Sequence, residues 1–544
     1  MMDRRDFIKL TATGAAYTTV AMLGARNAIA SPPDHGTFNP ESLANGQFIN
    51  MDGDEAVICG YPVSWWDKHY GLPLHVHYGP QIKSNARAFR RVFNERYPKG
   101  EIRFAAKANP HPAVFRLVVD EDEGIDVASP NEAKGALMAG ADPRHLDVNG
   151  NAKTDDFIRM AIAKDMVIIS DSMEEFALIG RLAREDNRKP RVLQRLSGFS
   201  MTNVTAAGSF TCGVWTKFGL NIKDIDAFFV MLDKHPHVDF QGFHVHIGSP
   251  IATLEPYQTV AAKLVEFSMA LKERGRPCKM LNLGGGYPVN YVDKAQWGEI
   301  LDRIKTGYQS YNTDPSKLWV WENGAGGFRD ELTGKLDFDN WTGERFYSDY
   351  PKEKMLEAIL TSDIRVNGKS MRFDKALMAL GEPTLVIEPG RSLAEDSGVT
   401  LSRVGHVKKI DGIHDLVALE AGVVSFGDAL EHEVPMNRWA LATGLKTKAA
   451  EPFNAFIAGQ LCFTGDMPSR YKLGFARKPE RGDVLLTHDT GAYDPQFYAA
   501  NTNAFARPAR VLVLEDGSVE FIKTRDTLEE IYSLNRSPVR MADI

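Results

Sequence analysis

The sequence predicts an α/β protein: a (β/α)8 TIM-like barrel followed by a C-terminal, mainly antiparallel β domain. Three observations predict it. Between about residues 100 and 395, eight short β-rich runs alternate with helix-like stretches rich in Ala, Leu, Glu and Lys, the pattern of a parallel sheet. Polar residues fall near the C-terminal ends of those runs, where barrel active sites are built. After about 396 the helices cease and β-rich runs are separated by turns.

The first 30 residues read as a removable export signal. "DRRDFIKL" sets Arg4-Arg5 before a mildly apolar stretch that ends in Ala28-Ile29-Ala30, an A-x-A cleavage pattern. Paired arginines before a weakly hydrophobic segment predict the twin-arginine machinery and a periplasmic location. That route carries folded cargo, often already loaded with a cofactor. Residues 31–55, rich in Pro, Gly, Asn and Asp, read as a lead-in linker. Residues 56–78 are β-like and are expected to join the β domain.

The barrel is expected over 79–395. Its runs are "RFAAKAN", "GIDVAS", "LDVNG", "MVIISD", "RVLQRLS", "GFHVHIG", "MLNLGGG" and "TLVIEPG". Lys107, Ser129, Asn149, Arg195, His246, Gly284 and Glu388 lie near their C-terminal ends. About a hundred residues separate the last two runs, more than one helix needs. An insertion at about 325–380, rich in Gly, Asp and aromatics, has the character of a functional lid or binding loop. The β domain is expected over 396–544, with runs "SRVGHVKKI", "DLVALEAG", "GDVLLTHD" and "ARVLVLEDGSVEFI".

Charge narrows the partners. Residues 31–544 carry 60 basic and 69 acidic residues, net −9, so no electrostatic footprint for nucleic acid is present. No run is long and apolar enough to span a membrane in the mature protein. The four cysteines, Cys59, Cys212, Cys278 and Cys462, have no metal-ligand spacing and call for no disulfide.

The chemistry starts at Lys107. A lysine at a strand end is commonly a snorkelling surface residue, and Asn109-Pro110 ends this strand, so Lys107 is expected at the very end of a buried strand. Its companions at the other strand ends change the reading. Gly284 to Gly286 let backbone N–H groups close on an anion, although alone they fit a tight barrel turn equally well. "VIEPGRS" adds Glu388, Gly390 and Arg391, and Arg391 suits a bidentate phosphate contact. A reactive-type lysine, a phosphate cradle and a carboxylate for the pyridine nitrogen are what pyridoxal 5'-phosphate needs. His246 then suits the ring face and Ser249 the phosphate. Standing alone, His246 reads as a satisfied core histidine.

Through "AAKAN", "GIDVASPNE", "TKFGL", "HVHIGS", "LNLGGGYPV", "EPGRSL", "CFTGD" and "GDVLLTHDTGAY", in that order, the chain resembles the fold-type III pyridoxal-phosphate decarboxylases. This is the family of diaminopimelate, ornithine and arginine decarboxylases. The resemblance runs from about 56 to 515 outside the insertion. It implies the architecture shared by alanine racemase and ornithine decarboxylase. It makes Lys107 the Schiff-base lysine and stacks His246 on the ring. It gives the phosphate to Ser249, Gly284, Gly285, Gly286, Gly390, Arg391 and Tyr493, and the pyridine nitrogen to Glu388. Asp126 and Arg195 match residues supporting the cofactor. Cys462 matches the catalytic cysteine, which enters from the partner subunit and protonates the carbanion, so a homodimer with shared active sites is implied.

Two departures concern the amino-acid substrate. The family usually places an acidic residue after the cysteine, facing the substrate's distal amine; here it is Phe463, with Asp466 further along the loop as a second candidate. Diaminopimelate decarboxylases also carry an Arg-Pro-x-Leu-Tyr-like run where this chain has "VVSFGDALEHEVPM". Asp428, Glu431 and Glu433 there suit a cationic substrate, or equally a solvated face. The expected reaction is decarboxylation of an amino acid of the diaminopimelate, lysine or ornithine class. The rivals are a periplasmic amino-acid racemase, which Glu388 and Cys462 disfavour, and a non-catalytic regulatory homologue, which Lys107 with Cys462 disfavours.

Overall fold

The computed structural model describes residues 48–201, 210–329, 334–343, 346–426, 438–493 and 501–533. The expected export segment, most of the lead-in, and Asp428, Glu431 and Glu433 lie outside the described residues.

Eight parallel strands close into a barrel: β1 Gly100–Ala105, β2 Gly124–Val127, β3 Leu146–Val148, β4 Val167–Ser170, β5 Arg191–Ser197, β6 Asp239–His244, β7 Met280–Asn282 and β8 Thr384–Ile387. Each pairs in parallel with the next, and β8 pairs with β1. Every strand overlaps one of the eight runs read from the sequence. Helices Pro130–Met138, Asp155–Ala163 and Met173–Glu185 begin where Ser129, Thr154 and Ser172 accept a backbone N–H three residues on, which satisfies one of the exposed donors of the first turn.

The period of two divides each strand between two environments. Ile102, Phe104, Ile125, Leu146, Val148, Ile168, Leu281, Leu385 and Ile387 face the helices in one large apolar core. Val167, Ile169, Leu193, Met280 and Val386 form a separate apolar plug, in alternate register on the same strands. Two residues further along the strands, the plug gives way to polar groups: Asp171, Arg195, Asn282 and Glu388. The barrel interior is thus dry towards one end and polar at the C-terminal end.

Strand Leu74–Tyr78 is shared architecture. It pairs antiparallel with Gly398–Ile410 and parallel with Ala509–Val513, so a segment preceding the barrel completes the β domain. The rest of that sheet runs through His414–Leu419, Phe453–Ala458 and Ser469–Phe475 on one side and Val519–Lys523 on the other. Val484–His488 and Trp439–Leu441 join at Gly398–Ile410. Val404, Val417, Leu419, Ala455, Ile457 and Leu485 are among its buried core.

Three expectations are corrected. Of residues 56–78, read as β-like, Val63–Tyr70 is a helix, Val57–Ile58 and Tyr61–Pro62 belong to a separate small sheet, and only Leu74–Tyr78 joins the β domain's sheet. β1 stops at Ala105, and Lys107 sits in a 3-10 turn, Ala106–Ala108, with an exposed side chain. The turn begins before Pro110 because Asn109 N already donates back to Ala106 O at 3.0 Å. The excursion between β7 and β8 is also displaced from 325–380. Helices Glu353–Thr361 and Phe373–Leu380 bury Met355, Leu356, Ile359, Phe373 and Leu377 in the core around the barrel. The excursion proper runs from about 288 to 352. It carries helix Lys294–Ser310 and reaches the β domain, where Val320 bridges to Tyr471 and Lys472 N donates to Trp319 O at 2.9 Å. Among the described residues no helix is long and apolar enough to cross a membrane.

Candidate active site

Glu388 lies at the centre of the polar end. It follows β8 by one residue, in phase with the inward Val386. Its carboxylate accepts from Asn282 Nδ2 at 2.8 Å, Asn149 Nδ2 at 3.2 Å and His244 Nε2 at 3.2 Å. Burial pushes this carboxyl up, but His244, Asn282 and Arg195 together outweigh it and hold it below its ordinary value. Glu388 is therefore a buried, fixed anion.

The surrounding acids behave in the opposite way. Asp126 accepts from Asn149 Nδ2 at 2.6 Å. Burial, then the charge of Glu388, raises its carboxyl well above the usual range. Asp147 accepts from Asn282 Nδ2 at 3.0 Å and lies 3.4 Å from Arg103 Nε. Burial raises it to about 7 against the pull of Arg103. Environments that push neighbouring carboxyls apart distinguish the one that stays charged.

His246 follows β6. Its Nδ1 accepts from Gly285 N at 3.0 Å, so a neutral ring carries its proton on Nε2. Burial, then Lys107 and Arg195, lowers its pKa well below the ordinary value, and the ring is neutral. Gly284 and Gly286 have φ of +66° and +95°, the left-handed region that favours glycine. At Gly285 φ is ordinary, but a Cβ would stand 2.3 Å from Glu388 O. Gly284 N donates to Asn282 Oδ1 at 2.8 Å. Ile251 N donates to Gly286 O at 2.8 Å, which packs the half-buried Ser249 loop beside the glycines.

Lys107 is bracketed on both sides. Gly390 admits β8 against the turn, since a Cβ there would meet Ala108 at 3.0 Å and Ala105 at 3.1 Å. Tyr493 N donates to Ala108 O at 2.8 Å from a left-handed backbone, φ +62°. Asn109 donates to Gly491 O at 3.0 Å and accepts from Arg510 Nη2 at 2.7 Å. The charge of Lys107 lowers Asp126 and Glu132 as well as His246, so the lysine faces the polar end. Arg391 lies with its Cζ 4.7 Å from the centre of the Tyr493 ring. Arg195 is buried, its Cζ 4.2 Å from the centre of the Phe218 ring. The structure thus brings Lys107, Asp126, Arg195, His246, the three glycines, Glu388, Gly390, Arg391 and Tyr493 to one end of one barrel.

The other candidates sit on the β domain. Cys462 and Phe463 are exposed. Asp466 is buried, and its two carboxylate oxygens accept from Val423 N and Leu461 N, both at 2.5 Å. It serves the loop, in place of the expected substrate contact. Sequence reading missed His244 and Asn282, although they stand inside "HVHIGS" and "LNLGGGYPV" and share the phase of His246 and Glu388. Asn109, Asp147 and Arg510 were also missed; Asn109 and Arg510 meet across 401 positions.

The residues fit pyridoxal 5'-phosphate. An amine, a flat neutral imidazole, a held anion and an arginine beside a glycine cradle are the donor set this cofactor takes. Comparison with known proteins agrees. Residues 80–324 match the pyridoxal-binding domain of the pyridoxal-dependent decarboxylases. Diaminopimelate decarboxylase of Staphylococcus aureus is 28% identical, over 89% of this chain and 97% of its own; that of Bacillus subtilis is 26% identical, over 88% and 94%. Among solved structures, diaminopimelate decarboxylase of M. jannaschii in co-complex with L-lysine superposes with a TM-score of 0.70 at 24% identity, covering 90% of this chain and 98% of that one. The lysine/ornithine decarboxylase of Vibrio vulnificus complexed with putrescine gives 0.59 at 18%, covering 83% and 97%. At these identities the structures show the shared fold. This chain is similar to diaminopimelate decarboxylases over most of its length.

Proposed function

We propose that this chain, a pyridoxal 5'-phosphate-dependent carboxy-lyase, decarboxylates an amino acid of the diaminopimelate, lysine or ornithine class, with Lys107 as the cofactor's amine and Cys462 as the proton donor. The observation that carries the reading is the Glu388 carboxylate, kept anionic at the strand ends by His244, Asn282 and Arg195. An anion there would keep the cofactor's pyridine nitrogen protonated.

When bound, the cofactor supplies an electron sink that accepts the pair left as carbon dioxide departs. The chain supplies the rest. Lys107 Nζ presents its amine from a turn clamped by Asn109, Gly390 and Tyr493. His246 offers a neutral ring whose tautomer is set by Gly285 N–H. Gly284 to Gly286, Gly390, Ser249 and Arg391 would hold the phosphate, Gly284 and Gly285 through the shape of their turn because their N–H groups donate to Asn282 Oδ1 and His246 Nδ1, with Tyr493 beside them. Asp126 and Arg195 would support the cofactor. Cys462 Sγ gives its proton to the substrate's α-carbon, which yields the amine. Cys462 is exposed on its own β domain, which favours delivery into the site of a second copy in a homodimer. Exposed Phe463 favours a role in substrate choice. Arg4-Arg5 favours export by the twin-arginine machinery to the periplasm.

The test is direct. Purified protein, incubated with D- and L-amino acids, is expected to release carbon dioxide and amine, and borohydride reduction is expected to fix the label on Lys107. A label on another lysine, or turnover that inverts the α-carbon and releases no carbon dioxide, overturns the reading. Arg4-Arg5→Lys-Lys is expected to strand active enzyme in the cytoplasm; undiminished periplasmic activity overturns the export claim.

A further inference from the structure

The excursion leaves the barrel near Pro288 and returns at Lys352, where Lys352 N donates to Pro288 O at 2.7 Å. Both of its ends are tied to two consecutive acids. Tyr291 OH donates to Glu395 Oε1 at 2.9 Å. Lys352 Nζ pairs with Asp396, and also donates to Asn85 Oδ1 at 3.0 Å. Beyond Tyr291 the excursion continues as its own structure: Tyr291 N donates to Phe346 O at 3.1 Å, and Tyr291, Val289 and Phe346 share an apolar cluster.

Glu395 lies one helical turn beyond Arg391. Arg391 Nη1 donates to Glu395 Oε1 at 3.3 Å and to Tyr291 OH at 3.1 Å. The exposures are 0% for Glu395, 2% for Tyr291 and 3% for Arg391. A fully buried glutamate needs a partner, and here two groups converge on one of its oxygens. A guanidinium held at one Nη and stacked on a ring has the plane of its fork fixed. That plane decides whether a phosphate meets two parallel N–H groups or one.

We propose that Glu395 and Tyr291 are positioning residues for the cofactor's phosphate: they set the plane of Arg391 and tie that grip to the 288–352 excursion. The proposal rests on the reading of Arg391 as a phosphate contact. It gives the excursion a consequence for cofactor retention, because Tyr291 belongs to both.

The experiment titrates cofactor-stripped protein with pyridoxal 5'-phosphate and, separately, with pyridoxal, which lacks the phosphate, and reads the ratio of the two affinities. Tyr291→Phe and Glu395→Gln are each expected to lower the preference for the phosphorylated form about tenfold, with pyridoxal affinity moving less than twofold. Arg391→Met is expected to abolish the preference. If Arg391→Met keeps it, the phosphate reading of Arg391 is wrong. If Arg391→Met loses it while Tyr291→Phe and Glu395→Gln keep it, the positioning proposal is overturned. Equal weakening of both forms also overturns it, since a merely structural role moves both together. Tyr291→Phe changes one oxygen, and it decides the matter if Glu395→Gln does not fold.

Discussion

The Lys107 turn and the Cys462 loop differ in what holds them. The turn is gripped from far along the chain: by Gly390 after β8, by Gly491 and Tyr493 in the loop beyond Val484–His488, and by Arg510 in a strand of the β domain. The Cys462 loop is held by its own domain. Asp466 binds Val423 and Leu461, Gly459 N donates to Asp466 O at 2.8 Å, and Cys462 N donates to Asn503 Oδ1 at 2.9 Å. All three side chains are exposed, but the charge of Lys107 acts on the buried Asp126 and His246, whereas Cys462 and Phe463 stand on the β domain. The difference teaches that the proposed cofactor half of the site is held by contacts from distant parts of one chain, while the loop proposed to carry the proton donor is held by contacts within the β domain.

The largest effect is expected from separating the halves. Lys107→Ala and Cys462→Ala are each expected to lose more than about 10²-fold in amine formation, the second with cofactor retained. Mixed dimers are expected to recover part of the activity, because one of their two sites is intact. Mixed dimers that form and stay inactive would refute the sharing.

Next comes the loop itself. Asp466→Ala strands two buried backbone N–H groups and should lower kcat about tenfold or more, with the cofactor's absorbance spectrum unchanged. A changed spectrum would mean that the two halves are not independent. Phe463→Glu sharpens the outward half. It should raise kcat/KM for lysine- or ornithine-like substrates over apolar ones by about tenfold, since about 1.4 kcal/mol suffices. An unchanged ratio would remove residue 463 from the substrate's surroundings.

The smallest effect probes the buried half. Asp147 is raised to about 7 by burial and by the charges of Glu388 and Glu101, against Arg103. In the unfolded chain an aspartate titrates near its ordinary value of about 3.9. The folded chain therefore holds a proton here that the unfolded one has lost. That contribution to stability is full below about pH 4 and is lost as pH rises through about 7. Asp147→Asn should narrow the fall in Tm between pH 5.5 and 8.5 by about 2 °C. Identical slopes in thermal scans would mean that Asp147 stays ionised beside Arg103.

Much of this was legible because barrel strands are buried on both faces and read as apolar runs bounded by helix signals. Polar residues in phase with the plug then mark the mouth, as Glu388 follows Val386 and Asn282 follows Met280. The strands Phe453–Ala458 and Ser469–Phe475 went unread, since "SRYKLGF" alternates charge with partly exposed apolar groups. Arg510 and Glu395 could not be read at all. A cation in a strand and an acid after a short helix acquire meaning only from partners that folding brings to them.

Strand Leu74–Tyr78 has a consequence in time. A ribosome makes it early, yet its neighbours are Gly398–Ile410 and Ala509–Val513. At about 5–20 residues per second, on the order of 20–90 s pass before the second neighbour exists. Until then five residues that end up buried are an open edge, the kind of surface that recruits strands from other chains. Its alternation, "LHVHY", puts His75 and His77 between apolar neighbours, which makes the waiting strand less adhesive than a continuous apolar one. A fragment that ends at the barrel would keep that edge open, and a fragment beginning after it would lack the strand that joins the two parts of its sheet.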